Sequence, residues 1–144
     1  MQAQIAVTDR AYLDTSAYLC VLLGEGGHES VSSEIEGGEV VSSVLLVLEA
    51  TRNLIRLSRE GTLSPIDLQT CLDRLDEDVE QFALRDLTLE LSAGRSFPVV
   101  TTPRSLDLAH LRTAVWFHER DPLTRFVTLD SAQQQAAREL GLPA

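Results

Sequence analysis

Short strand-like runs alternate with helix-periodic segments along the whole chain, and two of those runs end on the same pattern, an apolar stretch, an Asp and a helix start. The pattern reads LDTS at Asp14 and TLDS at Asp130. Alternation of this kind specifies an α/β fold with a mostly parallel sheet. At 144 residues with 44% hydrophobic content, the chain is expected to form a single domain over 1–144 with a real core.

Residues 11–13 read as a short strand, stopped by Asp14, Thr15 and Ser16, all good capping types. Residues 18–23 and 28–36 read as helices, closed by Gly24 and by Gly37–Gly38. Val40 and Val41 mark a second strand, and Ser42–Ser43 are expected to cap a long helix ending near Glu60, with Gly61 as its stop. Val47, Ala50, Leu54 and Leu57 form its apolar stripe. Ser64–Pro65 starts another helix, with Pro65 at its first position. Residues 79–82 read as a strand, 87–96 as helix, and Ser105 as the cap of a helix reaching Glu119. A strand over 125–129 then leads through Asp130 to a last helix, 131–140, stopped by Gly141. The acidic stretch 73–80 is expected to be a solvated helix end and loop.

Composition removes several functions. The net charge is −10, against the basic patch of a conventional DNA binder. All 12 positive residues are Arg, and without Lys no P-loop can be completed. Receiver-domain and haloacid-dehalogenase phosphoryl sites, which normally use a Lys, are incomplete for the same reason. No apolar run approaches the roughly 18 residues of a membrane helix. MQAQIAVTDR lacks the charged and apolar regions of a signal peptide, and Cys20 and Cys71 lack CxxC spacing. A cytoplasmic protein with buried free thiols is therefore expected.

The candidate chemistry lies in acids. Asp14 and Asp130 stand at the C-terminal ends of strands, the edge where parallel sheets bind ligands, although an Asp there also serves simply as an N-cap. Glu49 interrupts the apolar VLLVLEA inside a helix. Its bland reading is a surface pair with Arg52 or Arg56; against it, the neighbouring residues are apolar, and a buried carboxylate needs a cation. Asp107 lies in the first turn of its helix, where the macrodipole alone suits an acid. Hard oxygen donors of this kind suit Mg²⁺ or Mn²⁺. His28, His110 and His118 share no metal-ligand spacing and read as structural or surface residues.

The segments AYLDTSAYL, VVSSVLLVLEATRNLIR, RSLDLAHLRTAV and FVTLDSAQQQAARELGL resemble, in order, the successive motifs of PIN-domain proteins, above all the VapC toxins of bacterial toxin–antitoxin pairs. The third is the most specific, LDLAHLRTA lying close to the family's LDALHLATA pattern. The resemblance implies a parallel sheet of four or five short strands flanked by helices. It implies Asp14, Glu49, Asp107 and Asp130 as metal-binding acids, with Thr15 and Ser16 shaping the site. It further implies Mg²⁺- or Mn²⁺-dependent endonucleolytic cleavage of RNA, a small VapB-type antitoxin partner and a homodimer. A non-toxin RNA-processing nuclease and a catalytically silent protein-binding module are the alternatives. Leu108 and Arg112 depart from the small residues usual in the third motif, and the end at LGLPA leaves a final edge strand short or missing. Arg52, Arg56 and Arg59 on the Glu49 helix, with Arg104 and Arg112 flanking Asp107, are candidate RNA phosphate contacts.

Overall fold

The computed structural model describes residues 9–95, 100 and 104–144. The segment 1–8, most of the stretch read for a signal peptide, and Ser96, the expected end of one helix, lie outside the described residues. Four strands and seven helices occur among those described: β1 (Arg10–Leu13), α1 (Thr15–Leu23), α2 (His28–Ile35), β2 (Glu39–Ser43), α3 (Leu45–Arg59), α4 (Pro65–Gln81), β3 (Ala83–Arg85), α5 (Leu89–Ala93), α6 (Ser105–Arg120), β4 (Arg125–Val127) and α7 (Ser131–Glu139). The strands form one all-parallel sheet in the order β3-β2-β1-β4. The fold is thus α/β with a central parallel sheet, as expected. No described helix is long and apolar enough to cross a membrane.

β1, β2 and β4 each alternate between two cores, as a period of two requires. Ala11, Leu13, Val40 and Val127 face one side, where Ala17, Leu22, Leu46, Ala50, Leu54 and Leu75 cover them. Tyr12, Val41 and Phe126 face the other, against Leu111, Ala114, Phe117 and Ala137. Tyr12 and Phe126 stack there at 5.3 Å. Leu54 is fully buried on α3, and its truncation to Ala costs about 2–5 kcal/mol.

The order places the working edge. From β1 the chain builds outward through β2 to β3, then returns by α6 to lay β4 on the opposite side of β1. The strand order therefore reverses between β1 and β4, and the crevice outside the carboxyl ends of strands at such a point is where open α/β sheets bind ligands. Asp14 follows β1 and Asp130 follows β4.

Several local expectations are corrected. Residues 79–82 are not a strand; α4 runs to Gln81 and β3 follows at Ala83–Arg85. Leu68, Cys71, Leu72, Leu75 and Val79 repeat at three and four residues and pack on one core, so helical period prevails over the β-branched Val79. The acidic stretch 73–80 accordingly lies wholly within α4 rather than reaching a loop. Ser42 and Ser43 end β2 instead of starting a helix; only Ser43 Oγ accepts from the next helix, from Leu45 N at 3.1 Å. Ser105 is the first residue of α6, and Arg104 takes the N-cap position without a side-chain cap. β4 stops at Val127, and the chain end lies along it, with Phe126 N donating to Pro143 O at 2.9 Å. Cys20 is buried and Cys71 only partly so; both are free thiols. Pro65 and Ser64 behave as read, Ser64 Oγ accepting from Asp67 N.

Candidate active site

The last sheet bond of β1 delivers Asp14 to the edge, its N–H donating to Val127 O at 3.1 Å. The chain then turns into α1, and Asp14 Oδ1 accepts from Ala17 N at 3.0 Å and from Ser16 Oγ at 2.7 Å. Asp130 does the same for α7, its Oδ1 accepting from Ala132 N at 2.9 Å and Gln133 N at 3.2 Å. Both acids are thus N-caps, and both also line one cleft of about 250 Å³. Capping and a place at the site coincide because parallel strands that feed helices put N-cap residues at the sheet's carboxyl edge. Ser16 ties the two strand ends together: its Oγ accepts from Leu129 N at 3.1 Å and lies 3.4 Å from Thr128 Oγ1.

Glu49 and Asp107 line the same cleft, with Thr15, Ser16, Asn53, Arg104 and His110. Glu49 Oε1 accepts from the Thr15 hydroxyl at 2.9 Å and lies 2.7 Å from His110 Nε2. The bland alternative, a surface pair with Arg52 or Arg56, is not formed: Arg56 pairs with Glu60 at 3.2 Å, and Arg52 is exposed. The apolar neighbours do not bury the helix all round, since Leu48 is 68% exposed. Glu49 sits on α3 between the buried Leu46 and Ala50, its side chain 22% exposed and turned into the cleft.

His110 is the residue that the pattern of acids left out. It is 3% exposed, with Nδ1 2.7 Å from the Tyr12 hydroxyl and Nε2 on Glu49. An ionised carboxylate can only accept, so Nε2 carries a proton. A chain of hydrogen bonds thus runs from buried Tyr12 on β1 through His110 on α6 to Glu49 on α3. The signal was present in the sequence: His110 follows Asp107 by three residues, on the same face of a helix. His28 and His118 behave as read, each bonding to nearby backbone, Glu25 O and Leu123 N.

Arg104 joins the other two acids. Its Nε lies 3.2 Å from Asp107 Oδ2 and its Nη2 3.2 Å from Asp130 Oδ2. Arg112 is not in the cleft. It donates to Leu91 O at 3.0 Å and Ser92 O at 2.8 Å, holding α5 against α6, and it lines a separate groove. It therefore does not stand beside the four acids. Arg52, Arg56 and Arg59 lie on the exposed side of α3, outside the cleft lining.

Electrostatics differ from acid to acid. Burial pushes the Asp14 carboxyl up, against the pull of Thr128, Ser16 and the Ala17 amide. Burial also raises Asp107, with Arg104 opposing and Asp130 adding to it. Burial pulls Glu49 upward as well, but the His110 hydrogen bond and charge, the Thr15 hydroxyl and Arg104 outweigh it and leave the carboxyl below its ordinary value. Carboxylates and hydroxyls form a donor set whose chemistry fits a hard divalent cation. In the arrangement described, no three His, Cys, Asp or Glu side chains among the described residues group as metal ligands. Two of the acids instead share the guanidinium of Arg104. Compared with known family models and with curated proteins, the chain matches none.

Proposed function

We propose that this chain is a metal-dependent endoribonuclease of the PIN type, acting as the toxin of a VapBC-type pair. The observation that carries the reading is one cleft, at the strand-order reversal, lined by four acids from four separate segments. Asp14, Glu49, Asp107 and Asp130 would hold Mg²⁺ or Mn²⁺. Such an ion supplies Lewis acidity toward a phosphoryl oxygen and lowers the pKa of a water.

The chain's own groups prepare the site. Ser16 and the Ala17 amide pin Asp14, and Thr15 with His110 pins Glu49, so both carboxylates have fixed orientations. Arg104, 68% exposed at the rim, meets the substrate backbone. A net charge of −10 would otherwise repel RNA, so affinity rests on cations and on local arginines. A small antitoxin would cover the cleft, and a homodimer is the assembly the resemblance implies.

The test is cleavage of total cellular RNA by the purified chain with and without Mg²⁺ or Mn²⁺, with ends mapped, alongside growth of cells expressing it. Cleavage that needs the ion and growth arrest relieved by Asp14→Asn support the reading. Cleavage without growth arrest favours the RNA-processing role. Absence of ion-dependent cleavage would sink the nuclease reading and favour a protein-binding module.

A further inference from the structure

Arg104 stands in an unusual position for a residue of an acidic cleft. One guanidinium spans two carboxylates from different elements, Asp107 in the first turn of α6 and Asp130 at the cap of α7. Asp130 Oδ1 is committed to the α7 amides, so the arginine takes the oxygen that the cap leaves, Oδ2. The arginine neutralises the rim of the site from within the chain.

We propose that Arg104 is a built-in counter-ion that competes with divalent cations for Asp107 and Asp130, and that it leaves these carboxylates when such a cation binds. The inference rests on the nuclease reading above and deepens it by naming what sets the affinity of that site for metal. Three observations support exchange rather than permanent pairing. Arg104 is 68% exposed, so release returns it to water at small cost. It precedes α6 as its N-cap residue without a capping side-chain bond, so no described helix end depends on its side chain. The two carboxylates it spans are hard oxygen donors, the ligand type that Mg²⁺ and Mn²⁺ take. Once freed, the guanidinium stands at the rim with a planar pair of donors suited to phosphate.

The competition predicts that removing the arginine tightens metal binding. The experiment is calorimetric titration of the intact chain with Mn²⁺ at low ionic strength, for wild type, Arg104→Gln and Arg125→Gln. The last variant makes the same charge change at the opposite end of β4. Two exposed ion pairs are weak, so Arg104→Gln should bind Mn²⁺ about five- to tenfold more tightly than wild type. It should also melt lower than wild type in chelator yet gain more from Mn²⁺, because its rim acids lack their counter-ion until the metal arrives. Arg125→Gln should bind Mn²⁺ as wild type does. Unchanged or weaker Mn²⁺ binding by Arg104→Gln, where wild type binds, overturns the proposal alone. An equal gain in Arg125→Gln overturns it in favour of general charge. Absence of Mn²⁺ binding in all three proteins overturns both this proposal and the metal-nuclease reading.

Discussion

Asp14 and Glu49 lie in the inner half of the cleft and are held by hydroxyl, amide and imidazole donors, whereas Asp107 and Asp130 lie at the rim and share one arginine. The inner half is fixed by packing. Tyr12 is fully buried, His110 nearly so, and Thr15 sits at the buried start of α1. At the rim the α7 amides hold one oxygen of Asp130, but the link between Asp130 and Asp107 is the charge of Arg104, and charge can be exchanged. The cost of gathering acids falls differently on the two halves. Asp14 has no cation within bonding distance among the described residues, and burial raises its carboxyl. At the rim Arg104 offsets part of the same effect on Asp107. Desolvation, rather than mutual repulsion of four carboxylates, leads in both.

The comparison breaks most visibly at Asp14. Asp14→Asn keeps an acceptor for Ala17 N and Ser16 Oγ but removes the charge. RNA cleavage should fall to background, while the folded protein gains. A carboxyl raised in the folded state contributes stability that is full below its unfolded pKa, about 4, and that is lost as pH rises through the folded value. In chelator at pH 7 Asp14→Asn should therefore melt above wild type, and the two should converge below about pH 4. Asp107→Asn should gain less, because it also gives up the pair with Arg104. Equal gains in the two variants, followed by thermal melts across pH, would erase the distinction between the halves.

His110→Ala tests whether the inner half works through packing. It leaves the Tyr12 hydroxyl buried without its imidazole partner, a loss of about 1–3 kcal/mol. It also frees Glu49, so cleavage should fall roughly 10- to 100-fold, as for residues that orient metal ligands. Tyr12→Phe combined with His110→Leu should be less destabilised than the two single changes summed, since both ends of one bond are removed together. His110→Gln should restore part of the activity if orientation of Glu49 is the role. Equal activity in His110→Ala and His110→Gln would make the histidine structural only.

The smallest effects belong outside the cleft. Arg52→Ala with Arg56→Ala should reduce the salt slope of RNA binding by about 0.7 for each single-strand phosphate that these arginines neutralise. Arg56 already pairs with Glu60, so most of the change should come from Arg52. Arg112→Ala should leave the slope unchanged and lower the melting temperature, because its donors hold Leu91 and Ser92 of α5. A change in slope for Arg112→Ala, measured by binding at several salt concentrations, would place it on the RNA surface.

The alternating pattern determined the class of fold by itself. Strand runs at Tyr12–Leu13, Val40–Val41 and Phe126–Val127, each followed by capping residues and helix-periodic segments, allow little but a parallel sheet covered on both faces. Local chemistry also fixed Pro65, Gly24 and the caps at Asp14 and Asp130. Where local signals competed, the pattern misled: Val79 reads as β-branched strand but faces the core one turn beyond Leu75. Tertiary structure alone decided which polar groups meet. Glu49 is 61 positions from His110, and Tyr12 98 positions from it, so no spacing rule connects them. Arg104 and Asp130, 26 positions apart, meet only because β4 returns beside β1 and sets the start of α7 against the start of α6. Short-range propensity acts within a few residues of the chain, whereas a polar site is assembled by the packing of whole elements, and that is where its charges acquire their partners.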